Sequence, residues 1–188
     1  MVGVGPQPGP ESALARVSVV NYEGEQVYDS YVKPKKTVTD WRTYVSGIQP
    51  KHMINARSFE EVQQSISDLL QDRILVGHSV SHDLDALLLS HPRRDIRDTA
   101  RHPPFRRMAG GSSPRLKILA SELLGLTIQT GEHSSIEDAR ACIMLFKRDK
   151  AAFEREHARK YPPPRLPLTP NENGEARPKK NKKKKRKK

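Results

Sequence analysis

Cysteine is almost absent from this chain of 188 residues. The single thiol, Cys142, excludes an intramolecular disulfide and a cysteine-rich zinc site. Aromatic residues are scarce, at 5% of the chain, and no apolar run approaches the roughly 18 residues of a membrane-spanning helix. Residues 1–10 are rich in Gly and Pro and lack the charged and apolar regions of a secretory signal. Together these absences predict a soluble protein of a reducing compartment, with no membrane and no disulfide-linked partner.

Negative charge is scarce at one end only. The chain carries 34 Lys and Arg against 22 Asp and Glu, a net charge of +12. Residues 162–188 hold 11 of the basic residues and two of the acids, which leaves a nearly balanced 23 against 20 elsewhere. The extreme of this imbalance is Lys179, Lys180, Lys182, Lys183, Lys184, Lys185, Arg186, Lys187 and Lys188. Such density reads as a nuclear or nucleolar address or as a non-specific RNA-binding arm. Residues 1–160 suffice for one domain with a core. Residues 161–188 read as a disordered Pro-containing linker and Lys-rich tail that bury too little to order themselves.

Within the body, residues 13–20 and 26–32 are rich in β-branched and aromatic types and flank turn chemistry at Asn21 and Gly24, which predicts a β-hairpin. Residues 33–56 read as loop with one helical turn near Asp40. Ser58 and Glu61 form a capping box, and Phe59, Val62, Ile66, Leu69 and Leu70 follow at helical spacing. Residues 73–77 suit a short buried strand, and 83–90 a short helix stopping before Pro92. Ser113 and Pro114 are placed as N-cap and first residue of a further helix that ends at Gly125. A last helix is expected from Ser135 into the 150s. This order is α/β or α+β. Two hairpin strands and one more, with 126–128 adding a short strand at most, make a thin sheet for such a body.

Two segments carry acids with a nearby His. In LVGHSVSHDLDAL, Asp83 lies just after a strand end, where a sheet leaves a crevice suited to metals, although capping the helix is an equally simple role. In GEHSSIEDARACIMLF, Asp138 falls at the margin of the apolar stripe of Ile136, Ala139, Ile143 and Phe146. It suits either a cleft or a solvated face, and His133 either a catalyst or a loop. Residues 92–117 hold eight basic residues against Asp95 and Asp98, with Pro and Gly interspersed, and read as a mobile basic loop. Arg106 and Arg107 are its candidate phosphate contacts. Asp98 reads as a structural acid bonded to Arg97 or to backbone.

In combination, GH-x4-D after a strand and H-x4-D opening a C-terminal helix resemble the second and third motifs of the DEDDh 3′–5′ exonucleases. The segments YVKP, VTDWRT, SGI, IRDT and LKILASELLG extend the resemblance to the RNA exonuclease 4 branch over residues 1 to about 148. The resemblance implies an α/β, RNase H-like exonuclease fold and two-metal-ion hydrolysis of RNA. Two divalent cations, Mg or Mn, would lie about 3.5–4 Å apart on carboxylates. Asp83 and Asp138 would be metal ligands and His133 the general base. Met1, Val2 and Gly3 would line the nucleotide site, and RNA, in particular pre-rRNA in the nucleus or nucleolus, would be the partner.

One departure stands out. The family's first motif is an Asp-x-Glu ending the first strand, immediately before Met-Val-Gly-x-Gly, and this sequence begins at Met1-Val2-Gly3-Val4-Gly5. Glu11 and Glu23, placed in a loop and a turn, do not replace it. The expectation is an N-terminally truncated domain that lacks a central strand and two carboxylates, with impaired metal binding, low stability and no activity of its own. The alternative is a catalytically inactive basic RNA-binding protein on a degenerate exonuclease domain.

Overall fold

The computed structural model describes residues 1–162. The expectations for the linker and for the basic cluster at 179–188 therefore lie outside the described residues. Strands β1 (Val2–Val4), β2 (Glu11–Ala13), β3 (Arg16–Val20), β4 (Gln26–Tyr31) and β5 (Val38–Asp40) come first, followed by helices α1 (Thr43–Ser46) and α2 (Phe59–Leu70). Strand β6 (Leu75–Gly77), helix α3 (Val80–Leu87) and strand β7 (Ile96–Asp98) lead to α4 (Pro103–Met108), α5 (Leu116–Leu124), α6 (Ser135–Arg148) and α7 (Lys150–Lys160).

The β3–β4 hairpin is where the sequence places it, closed at its turn by Gly24 N–H donating to the Asn21 carbonyl at 3.0 Å. Its alternation decides the layers. Ser18 and Val20 face α6, through the Ser18–Ser135 hydroxyl contact at 2.6 Å and the core around Leu145. Val17 and Val19 turn to the other side and pack with Val62 and Ile66 of α2. A strand with both faces covered needs apolar residues on both, and Val17, Val19 and Val20 supply them. The Ser58 box closes α2 reciprocally, with Ser58 N–H donating to Glu61 Oε2 at 2.9 Å and Glu61 N–H to Ser58 Oγ at 3.3 Å.

Strands β6 and β7 run parallel, in register from Leu75 against Ile96 to Gly77 against Asp98. Strand β1 lies between β2 and β5 in a separate antiparallel sheet. Gly3 is required there, because a Cβ would lie 2.8 Å from the Gly9 carbonyl oxygen. The largest core cluster joins Phe105 of α4, Leu119 of α5, Leu145 and Phe146 of α6 and Phe153 of α7. His102, just before α4, stacks on Phe153 at 3.6 Å between ring centroids and bonds Asp149 Oδ2 at 2.7 Å. A carboxylate only accepts, so His102 Nε2–H is the donor. Burial lowers the His102 pKa, and Asp149 acts against that shift.

Several expectations need correction. Residues 1–13 form β1 and β2, so Glu11 is a strand residue, and β5 occupies part of the expected loop. Strands of three residues are too short to show a period. The first hairpin strand starts at Arg16 rather than residue 13. Helix α3 begins at Val80, so Asp83 lies in its first turn instead of capping it. Helix α5 begins at Leu116 after an extended Arg115, so Ser113 and Pro114 do not start it. The last helix is two, interrupted at Asp149, where the His102 bond holds the junction. No strand forms at 126–128, although Ile128 is buried. The basic segment at 92–117 is β7, α4, two short 3-10 turns and the start of α5 more than loop. Within it Arg97 is buried and bonded twice to Glu154 at 2.9 Å, which removes it from any phosphate role.

Truncating the fully buried Leu145 to Ala is expected to cost about 3 kcal/mol in chemical denaturation. Ser58→Ala should cost about 1 kcal/mol through the lost cap. The reverse ranking would contradict the placement of the core on α6.

Candidate active site

The parallel pair β6–β7 brings Gly77 and Asp98 to the same sheet end. From there the chain turns sharply into α3 through Ser79, whose φ of 60° is left-handed. Asp98 compensates for that strained turn. Its Oδ1 accepts the Ser79 N–H at 2.8 Å and the Ala100 N–H at 3.0 Å, and its side chain is only 7% exposed. Asp98 is thus a structural acid bonded to backbone, as the sequence suggests, but its charged partner is Arg101 at 3.5 Å and not Arg97. His78, on the same turn, contacts Thr99 Oγ1 at 2.9 Å, and burial lowers its pKa.

The turn delivers Asp83 one helical turn into α3. Asp83 is accessible to solvent, yet the protein crowded around it raises its carboxyl pKa by desolvation, and the like charge of Asp98 adds to the rise. His82 and the amino group of Met1 act in the opposite direction.

Helix α6 delivers the second acid. Ser134 caps it by accepting the Glu137 N–H at 3.4 Å, and the Ser18–Ser135 contact seats its first turn on β3. Asp138 is half-buried at the margin of the apolar face, as its position on the helix predicts, and accepts a hydrogen bond from Gln129 Nε2 at 3.0 Å. Burial raises its pKa, while Gln129, His133 and His78 oppose the rise. His133 N–H donates to the Val45 carbonyl at 2.7 Å, which ties this loop to α1. Helix α6 also carries Cys142, buried and free, whose thiol is pushed up to about 12 by burial and then by Asp138, Asp83 and Asp98. All three carboxylates thus act on one thiol of α6.

Met1, Val2 and Gly3 are divided by the structure. The Met1 amino group lies within electrostatic reach of Asp83 and Arg42, and burial lowers its pKa. Val2 is a core residue packed with Ala15 and Ile48, and Gly3 is enclosed by β2 and β5. Arg106 and Arg107 end α4, exposed, away from Asp138 in sequence and element. Sequence reasoning missed Gln129, whose φ of 56° sets its amide against Asp138, and assigned no site role to His78.

A two-ion centre needs more oxygen ligands than this arrangement offers. Among the described residues no group of three or more His, Cys, Asp or Glu side chains is arranged to hold a metal ion. Asp83 and Asp138 have the hard oxygen chemistry that Mg or Mn selects, and burial raises the pKa of each. By themselves they do not fit two ions.

A family model described as Exonuclease matches residues 1–146. The chain belongs to the exonuclease family. RNA exonuclease 4 of Aspergillus fumigatus is 67% identical over 175 residues, covering 93% of this chain and 56% of that protein. RNA exonuclease 4 of Saccharomyces cerevisiae is 57% identical over 157 residues, covering 83% and 54%. The exonuclease chain thus spans about half the length of the curated relatives it matches. Among solved structures, the Pan2 pseudoubiquitin hydrolase–RNA exonuclease module of S. cerevisiae in complex with AAGGAA RNA superposes with a TM-score of 0.70. It is 29% identical, over 85% of this chain and 30% of that one. The α/β architecture is therefore the RNase H-like exonuclease fold. No helix among the described residues is long and apolar enough to cross a membrane.

A raised carboxyl pKa means the folded exonuclease pays for ionising Asp138, a penalty present above the folded pKa and relieved as pH falls through it. Asp138→Asn keeps an acceptor for Gln129 and removes the charge. Its melting temperature should exceed that of the unchanged chain at pH 7, and the advantage should shrink toward about pH 4 as Asp138 protonates. Thermal scans across that range check this, and equal melting temperatures at pH 7 would contradict it.

Proposed function

We propose that this chain forms the catalytic domain of a 3′–5′ exoribonuclease of the RNA exonuclease 4 type, lying within residues 1–160, with RNA as substrate and phosphodiester hydrolysis as reaction. The observation that carries the reading is that Asp83 and Asp138 both act on the Cys142 thiol of α6, and His133 on Asp138, in a chain 67% identical to a protein named RNA exonuclease 4. His133 is the group that takes the proton from the attacking water, a role for which an imidazole is suited near neutral pH. Gln129 orients Asp138, and Asp98 holds the turn that aims Asp83. Divalent ions, when bound, supply charge neutralisation and water activation. Asp83 and Asp138 would be two of the ligands, and further carboxylates are needed beyond those two.

The shortage of ligands favours a second reading, in which the 188-residue chain binds RNA without cleaving it. The two separate in an assay of 5′-labelled RNA with magnesium. The chain as it stands should yield no shortened products. A version extended upstream of Met1 by a strand ending in Asp-x-Glu should yield a ladder shortened from the 3′ end, and Asp83→Asn, Asp138→Asn or His133→Ala should each abolish it. Activity of the 188-residue chain equal to that of the extended one would refute the assignment of an incomplete centre. Inactivity of both would favour the binding reading.

The Lys-rich residues 179–188 are proposed to direct the protein to the nucleus, where pre-rRNA is the substrate, and the support is their composition. Deleting 179–188 from a fluorescently tagged protein should redistribute it to the cytoplasm. Undiminished nuclear signal would leave these residues as an RNA-binding arm alone.

A further inference from the structure

Immediately beside Asp83 along the chain, Ser81 and His82 turn toward a different feature. Together with Ser79, Ala100, Arg101, Arg106 and Ser113 they line a cavity of about 240 Å³. Four separate segments build it: the start of α3, the 99–101 turn, α4, and the approach to α5. None of its lining side chains is acidic, and two are guanidinium groups.

Both arginines are positioned before any ligand arrives. Arg106 donates from Nε and from one terminal nitrogen to the Gly111 carbonyl, at 3.1 and 2.6 Å, and among the described residues it pairs with no acid. Its charge is therefore not neutralised. Arg101 is held by Asp98 Oδ2 at 3.5 Å, which offsets part of its charge. Arg107, the next residue along α4, does not line the cavity. Burial of Phe105 fixes the rotation of α4, and a step of about 100° then separates Arg106 from Arg107. The basic pair that looks equivalent in the sequence is thus split by the fold.

We propose that this cavity is a phosphate subsite for the RNA backbone, with Arg106 as its principal cation, Arg101 as a weaker one, and Ser81, His82 and Ser113 as its polar walls. A tetrahedral anion with several acceptor oxygens suits guanidinium forks beside hydroxyl groups better than a single ammonium would. The proposal rests on the reading of RNA as substrate. It places a phosphate next to the helix that carries Asp83, so that the subsite positions RNA without taking part in bond cleavage.

The test is the salt dependence of binding of a 5′-fluorescein-labelled oligoadenylate to the full chain, followed by anisotropy in EDTA so that nothing is hydrolysed. On a single strand, removing one cation that neutralises a phosphate lowers the slope of log K against log salt by about 0.7. Arg106→Ala should reduce it by about that amount, Arg101→Ala by less, and Arg107→Ala not at all. Arg106→Lys should retain most of the slope, which separates the effect of charge from that of structure. In the ¹⁵N-labelled chain, the amides of Ser81 and His82 should shift on titration with the same oligonucleotide. Equal slopes for the unchanged chain and Arg106→Ala, or equal reductions for Arg106→Ala and Arg107→Ala, would overturn the subsite and leave the exonuclease reading standing. Failure of the unchanged chain to bind RNA at low salt would overturn both.

Discussion

Helix α6 is the element on which the rest depends. Its buried face, with Leu145 and Phe146 at the centre, packs against the hairpin and against β6. Its other margin presents Asp138. Burial of apolar area, the largest favourable contribution to folding, is therefore made by the same fourteen residues that carry an acid of the site. Position along this helix and chemistry are linked: the packing that seats Leu145 also determines how deep Asp138 sits and what its ionisation costs.

That cost runs through the whole site. Burial raises the pKa of the Cys142 thiol, and Asp138, Asp83 and Asp98 add to the rise. Only Asp98 is well compensated, by two backbone N–H groups and Arg101. Burial raises the pKa of Asp83 and of Asp138, so ionising either is unfavourable for the folded chain. The hydrophobic contacts of α6 and the reciprocal cap of α2 offset that cost elsewhere.

What the sequence discloses depends on the range of the interaction. The α2 helix is legible because its cap and its stripe are local, and the β3–β4 hairpin because its turn and flanking residues are contiguous. Strands β1, β2 and β5 are hidden because three residues carry no period. Ser113 and Pro114 mislead because a sound local signal is overridden by an extended Arg115. At the site, Asp83, Asp138 and His133 are suggested by spacing and by likeness to known exonucleases. The backbone role of Asp98 is suggested there too, whereas Gln129 stands against Asp138 through a contact that no local pattern encodes. Arg106 and Arg107 cannot be told apart in the sequence at all, since only the burial of Phe105 decides which way each one points.

The stacked His102–Phe153 pair and the His102–Asp149 bond join the start of α4 to the end of α6. The first turn of α4 and the break at Asp149 are thereby held as one packed unit, so a substitution at His102 would disturb the ends of three helices at once.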